Sequence, residues 1–352
     1  MYGYLREGST KRYLTLSEFV PYQLTRPNLN RFVKARPHFT MIEWADLLIS
    51  SAGYNPDVFK TLRLKLLLLS RLVPLAQANV NLLELGPRGT GKSYLLRNLS
   101  PNIYLLAGAK ASPAELLYNI KANRPGIIGR YKVTVFDEVA ATKFHDVSLI
   151  AALKDYMESG QVSRGGSRPL ASDCSLVFAG NLDLAPDGKG PSPLYHHLFE
   201  ALPKELNDAA IADRIHGLVP GWELPKIRDN VLADGPGLLA DYFGAVLNSL
   251  RKEVQYGEHL RKSLEFGPEC TIRDQTAITR MATGLLKMLF PNQGATMEEV
   301  RQVLAVAVEL RQGVRTELAK MAPGEFSQCQ LQVAPTRHWL RKPHSESKGR
   351  AA

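Results

Sequence analysis

Two apolar periods alternate along the first part of the chain. Short apolar runs suited to buried strands occur at 80–85, 103–106, 130–136, 175–179 and 217–220. Between them, apolar residues fall at helical spacing over 93–99, from Ser112 onward and over about 146–158. Start signals support the helices. Thr40-Met41-Ile42-Glu43 is a capping box opening a helix to about Ser51, and Asn55-Pro56 opens a longer one to about Gln77. Ser112-Pro113-Ala114-Glu115 supplies an N-cap, a first-turn proline and a glutamate that reaches back. Residues 160–168 alternate around Gly165-Gly166 and predict a β-hairpin. Strands alternating with helices predict an α/β fold with a mainly parallel sheet over residues 40–225. After Pro225 the strand signal ends. Helical patterns cover about 226–235, 237–260, 274–290 and 297–321, so residues 226–322 read as an all-helical lid domain. Residues 1–39 are polar, basic and dotted with prolines and read as an arm; residues 323–352 lose periodicity and read as a disordered basic tail.

Composition narrows the class. Apolar residues make up 45% of the chain, ordinary for a globular protein. Cys174, Cys270 and Cys329 lie far apart, which argues against a zinc site or a disulfide framework and for a reducing compartment. The start is not a signal peptide, and the most apolar run, 62–76, is too short and too charged to span a membrane. A cytoplasmic protein with no membrane partner is expected. The net charge of +10 is concentrated at Arg6, Lys11, Arg12, Arg26, Arg31, Lys34 and Arg36, then Arg337, Arg341, Lys342, Lys348 and Arg350. Such a surplus suits a polyanion such as DNA, or simply solvates the ends.

One stretch carries chemistry. Gly86-Pro87-Arg88-Gly89-Thr90-Gly91-Lys92-Ser93 fits G-x-x-x-x-G-K-[ST] between a strand and a helix, the phosphate-binding P-loop. Its glycines let backbone N–H groups turn toward phosphates, and the following helix adds its positive end. Lys92 is expected to reach the β- and γ-phosphates of ATP, and Ser93 to hold Mg²⁺. The strand Val133-Thr134-Val135-Phe136 ends in Asp137-Glu138. Ligands of such sheets bind beyond the carboxyl ends of strands, which places Asp137 in the Mg²⁺ shell and Glu138 beside the attacking water. Asn181 ends the next strand and is a candidate for the γ-phosphate or the water. Arg214, after Asp213, is a candidate arginine donated to a neighbouring subunit's transition state; its plain alternative is a salt bridge to Asp213. Arg273, opening a helix of the second domain, is a candidate reporter of the γ-phosphate or a solvated helix-start arginine. The histidines and cysteines form no nucleophilic triad.

The order of P-loop, Asp-Glu strand, strand ending in Asn, Asp-Arg and helices resembles the layout of AAA+ ATPases. Glu84-Leu85-Gly86-Pro87-Arg88-Gly89-Thr90-Gly91-Lys92-Ser93, Phe136-Asp137-Glu138-Val139-Ala140, Asp155-Tyr156-Met157-Glu158-Ser159-Gly160, Phe178-Ala179-Gly180-Asn181 and Val219-Pro220-Gly221-Trp222-Glu223 are similar to the BrxL family, the Lon-like proteins of BREX bacteriophage-defence systems. The resemblance covers roughly residues 20–325. It implies an ATP-driven ring, hexameric or a multiple, that binds DNA in phage defence and meets other BREX proteins. It also lends Arg214 its role. Family members continue into a protease-like domain. The residues past Gly324 are too few to hold one, so no Ser/Lys dyad is assigned and protease activity is not expected.

Three functions compete. A DNA motor predicts basic residues facing a pore, with Lys143, Arg164 and Arg168 as candidates beside Phe144. An unfoldase feeding a protease requires an aromatic pore loop, for which Phe144 is the candidate. A truncated scaffold would bind nucleotide or partners without turnover.

Overall fold

A computed structural model describes residues 2–7, 11–16, 27–108, 112–121, 124–144, 146–162 and 170–340. Its centre is a five-stranded parallel sheet of β1 (Asn81–Gly86), β2 (Ile103–Ala107), β3 (Val133–Asp137), β4 (Ser175–Asn181) and β5 (Gly217–Pro220), in the order β5-β1-β4-β3-β2. This is an α/β sheet flanked by helices, with a helical C-terminal region, as in an AAA+ ATPase domain.

Side-chain alternation along the strands divides the core in two. Leu82, Val135, Val177 and Val219 face one side. Against them pack α1 (Leu29–Ala35), α2 (Met41–Ser51), α3 (Leu62–Ser70), α4 (Lys92–Leu99), α6 (Ala240–Leu250), α7 (Val254–Lys262), α8 (Ile272–Leu289) and much of α9 (Met297–Met321). Leu83, Leu85, Phe136, Leu176, Phe178 and Leu218 face the other side, with α5 (Val147–Ser159) and the end of α9. Phe136 and Phe178 stack there at 4.9 Å.

Several elements differ from expectation. The run 55–77 is broken into a 3₁₀ turn, α3 and a short helical turn; Pro74, which cannot donate to the Ser70 carbonyl, accounts for the break after α3. The expected helix over 226–235 is extended chain with one 3₁₀ turn at Asp229–Val231. Its backbone bonds go elsewhere: Ile227 N–H to the Gly89 carbonyl (2.7 Å), Ala233 N–H to that of Gly53 (3.0 Å) and Asn55 N–H to that of Val231 (2.8 Å). The stretch 237–260 is two helices, α6 and α7. Strand pairing continues past Pro225: Leu264–Phe266 pairs antiparallel with Val333–Pro335, in runs too short to carry a period. Part of the tail is therefore built in. Leu331 and Trp339 are buried, and Trp339 donates from Nε1 to the Ala295 carbonyl (3.1 Å). Residues 341–352 lie outside the described residues.

The amino-terminal region also carries structure. Tyr2–Glu7 pairs antiparallel with Lys11–Leu16. Arg36, counted among the basic residues of the arm, is buried; it donates to the carbonyls of Leu289 (2.5 Å) and Phe39 (2.6 Å) and lies over the Phe290 ring. Gln161–Val162 pairs antiparallel with Leu170–Ala171, so the return strand lies beyond the expected range 160–168, and Arg164 and Arg168 lie outside the described residues. Phe144 is buried, 5.9 Å from the Phe136 ring, and is not an exposed pore aromatic. Lys143 beside it is exposed.

Candidate active site

The register of the sheet assembles the site. Asn181 is level with Gly86 across β4 and β1, and Phe178 is level with Phe136 across β4 and β3. Asp137 is thus beside Ala179, and Asn181 projects two residues further on the same face. The P-loop rises from the end of β1 and runs into α4. Gly89 (φ 85°) and Gly91 (φ 78°) hold the left-handed backbone that the loop needs. A Cβ at Gly91 would lie 2.3 Å from the Tyr54 hydroxyl and 2.8 Å from the Ile227 side chain. One at Gly86 would lie 2.6 Å from the Gly221 carbonyl carbon.

The loop encloses a cleft of about 410 Å³, lined by Arg88 to Tyr94 together with Asp137, Glu138, Ala179, Asn181 and Ile227. Lys92 turns back on the loop and donates to the carbonyls of Gly86 (3.0 Å) and Pro87 (2.8 Å). Burial lowers its ammonium pKa, while the charges of Glu84 and Asp137 oppose that shift. Ser93 Oγ donates to Asp137 Oδ1 at 2.6 Å, and the Glu138 N–H donates to the same oxygen at 3.1 Å. Glu138 has φ 49°, a strained conformation for a residue with a side chain, and that side chain is exposed. The strained turn carries it out of the strand line at the edge of the cleft.

These groups fit a nucleotide and Mg²⁺. Phosphate oxygens are stronger acceptors for Lys92 than the two carbonyls it now contacts. Ser93 and Asp137 bring a hydroxyl and a carboxylate to one point, the hard oxygen donors that Mg²⁺ prefers. Among the described residues, no group of three or more His, Cys, Asp or Glu is placed to hold a metal by itself, and no helix is long and apolar enough to cross a membrane.

Several supporting residues were not singled out from the sequence. Arg71 and Glu84 form a buried ion pair beneath the loop, and Arg71 Nη1 also donates to the Thr90 carbonyl (3.0 Å). A lone charge within an apolar run, present at both positions, was the available signal. Tyr54 donates to the Gly91 carbonyl (3.3 Å), and burial pushes its phenol up to about 12. Ile227 closes one wall from the segment expected to be helical.

Arg214 and Arg273 are elsewhere. The Arg214 carbonyl accepts from Asn81 Nδ2 (3.0 Å) at the start of β1. Gly86 is five residues on, roughly 17 Å away at about 3.3 Å per residue. Arg214 therefore stands at the opposite edge of the sheet from its own P-loop. It does not pair with Asp213, as its plain alternative had it; its guanidinium pairs with Glu158 and donates to the Ala210 carbonyl (2.7 Å). Arg273 binds Glu158 (3.1 Å) and Asp213 (2.6 Å), and so meets Arg214 through Glu158. The hydrogen bond from Arg273, with Arg214 beside it, holds the Glu158 carboxyl below the usual carboxylate range. Arg311, fully buried, joins Asp213 (2.8 Å) to Asp274 (2.7 Å) and ties α9 to this edge.

Known proteins place this geometry in a family. A family model described as "Lon-like protease BrxL-like, ATPase domain" matches residues 14–332. The chain is 34% identical over 323 residues to the Lon-like protease BrxL of Escherichia coli O9:H4 (strain HS), covering 92% of this chain and 46% of that protein. It is 35% identical over 326 residues to the Lon-like protease BrxL of Bacillus cereus (strain H3081.97), covering 92% of this chain and 47% of that protein. It thus spans about half the length of these curated relatives, and within that span it belongs to the BrxL-like ATPase-domain family.

Proposed function

We propose that the chain is an ATP hydrolase of the AAA+ class in a BREX-type phage-defence system, working as a homo-oligomeric ring that couples hydrolysis to DNA binding or translocation. The observation that carries the reading is the strained Glu138 beside the Ser93–Asp137 pair, opposite the P-loop. The loop amides and Lys92 bind the phosphates. Ser93 and Asp137 would hold Mg²⁺, which supplies charge neutralisation to the transferring phosphoryl group. Glu138 orients and polarises water, and Asn181 positions the water or the γ-phosphate. Arg214 faces away from its own site, which supports donation to a neighbour's. The basic surplus and exposed Lys143 favour DNA as the polymer. Burial of Phe144 removes the aromatic candidate of the unfoldase reading.

The test measures ATPase rate against protein concentration, with and without duplex DNA, for the wild type, Lys92→Ala and Glu138→Gln. The expected result is turnover that rises with concentration and responds to DNA. Lys92→Ala loses nucleotide affinity and rate. Glu138→Gln keeps affinity and loses rate by about 10² to 10⁴. Wild-type turnover by Glu138→Gln would refute the assignment of the Asp-Glu pair. A rate independent of concentration would refute the ring, and one indifferent to DNA would refute the coupling.

A further inference from the structure

A second cleft, of about 360 Å³, opens at the amino-terminal edge of the sheet, where residues 77–79 lead into β1 and α7 faces α8. It is remote from the P-loop, which lies at the other end of β1. Its lining is basic. Arg251 is occupied, donating to the carbonyls of Pro74, Gln77 (3.0 Å), Lys132 (2.9 Å) and Asp173, whose carboxylate lies 3.4 Å away. Three other cations are not neutralised. Lys287 is only 1% exposed, yet among the described residues its ammonium donates only to the neutral Gln77 Oε1, at 2.8 Å. Arg280 donates Nη1 to the Asn79 carbonyl (2.7 Å) and faces His216 Nε2 (3.2 Å), neither of which carries a negative charge. Arg261 stands exposed at the mouth. Among the described residues none of the three forms an ion pair. Among the described residues of the lining the one acid is the exposed Glu258, and Glu253 acts on Lys287 from further off.

Hydroxyls add a second, independent signal. Thr279 and Thr283 lie one turn apart on the face of α8 that lines the cleft. Both Oγ1 atoms are buried without a hydrogen-bond partner. An unpartnered buried hydroxyl is costly, and a buried ammonium without a counter-ion costs more. Burial holds Lys287 down to about 8, so it remains largely charged at neutral pH. One ligand would relieve both costs: an oxyanion with enough acceptor oxygens for cations and hydroxyls approaching from different sides. A bare phosphate does not fill the volume, which is that of an ordinary small-molecule pocket.

We propose that this cleft binds a small phosphate-bearing molecule, its phosphate held by Lys287, Arg280, Thr279 and Thr283, with Arg261 at the entrance. The proposal does not rest on ATP hydrolysis at the P-loop.

The test uses the full chain carrying Lys92→Ala, so that phosphate binding at the P-loop is disabled. Labelled inorganic phosphate is the probe in equilibrium dialysis, with chloride holding ionic strength constant. The expected result is saturable, sub-millimolar binding that is displaced by AMP. Adding Lys287→Met or Thr283→Val weakens it about tenfold or more. Both substitutions remove an uncompensated buried group, so the melting temperature without phosphate should hold or rise while affinity falls. Misfolding would move both quantities downward. Absence of saturable binding in the Lys92→Ala chain, or binding unchanged by either substitution, would overturn the proposal. Displacement of phosphate by a short DNA duplex but not by AMP would assign the cleft to a nucleic-acid backbone and overturn the small-ligand assignment.

Discussion

Replacing Glu84 by glutamine removes one charge of the buried pair beneath the P-loop and leaves the other in place. The side chains of Arg71 and Glu84 are 2% and 5% exposed, so water cannot substitute for the lost partner. A buried charge stripped of its counter-charge costs about 3–5 kcal/mol. At roughly 2 °C per kcal/mol for a chain of this size, the melting temperature should fall by about 6–10 °C. Nucleotide affinity should fall as well. The field of Glu84 is the largest influence keeping Lys92 charged against burial, and Arg71 acts in the opposite sense. The double variant Arg71→Met, Glu84→Leu removes both desolvated charges and should recover most of the lost stability. It also removes the donor to the Thr90 carbonyl, so affinity should stay low. Calorimetry and titration with a fluorescent ATP analogue separate the two effects. A Glu84→Gln protein within about 1 kcal/mol of wild type, or a double variant no more stable than the single one, would refute this account of the pair.

Two further outcomes are expected. Mixing inactive Arg214→Ala with inactive Lys92→Ala should restore ATPase activity at interfaces that pair an intact P-loop with an intact Arg214; no rescue in mixtures that co-assemble by sizing would refute donation between subunits. Lys287 has a folded-state pKa of about 8 against an ordinary 10.5, so between those values the unfolded chain binds more protons and stability rises with pH. Relative to Lys287→Met, wild type should gain about 2 kcal/mol between pH 7 and about 9.5, and a constant difference in chemical denaturation would refute the buried charge.

The grouping of the candidate site residues was legible because they sit at strand ends. A parallel sheet brings the carboxyl ends of β1, β3 and β4 to one edge whatever the sequence between them. The motif at Gly86–Ser93 and the acids at Asp137 and Glu138 therefore needed no knowledge of strand order. Residues that act across the chain were not legible. Glu84 reads as an interruption of a strand until Arg71 is found packed beneath it. Ile227 looked helical because its backbone partner, Gly89, is far away in sequence. Phe144 reads as a pore candidate because it stands beside Lys143 just after the Asp-Glu strand, whereas the Phe136 ring, 5.9 Å away, gives it a place in the core. Helices α8 and α9 carried a clear period, yet their apolar faces share one core with Leu82 and Val219, which periodicity cannot reveal.

Glu158 holds two guanidiniums with one carboxylate, and it is half exposed. The Arg214 side chain is only 14% exposed, so its bridge is solvated from the Glu158 side alone. If Arg214 swings toward a phosphate on an adjoining subunit, Glu158 keeps Arg273 and no lone charge is left behind. Departure takes one positive charge from the cluster and gives up the hydrogen bond to the Ala210 carbonyl, while return needs no proton. Arg273, moored to Asp213 and through it to Arg311, remains as the fixed post. In the proposed ring the arrangement would serve as a parking place for Arg214, keeping it ordered between engagements with the neighbouring site.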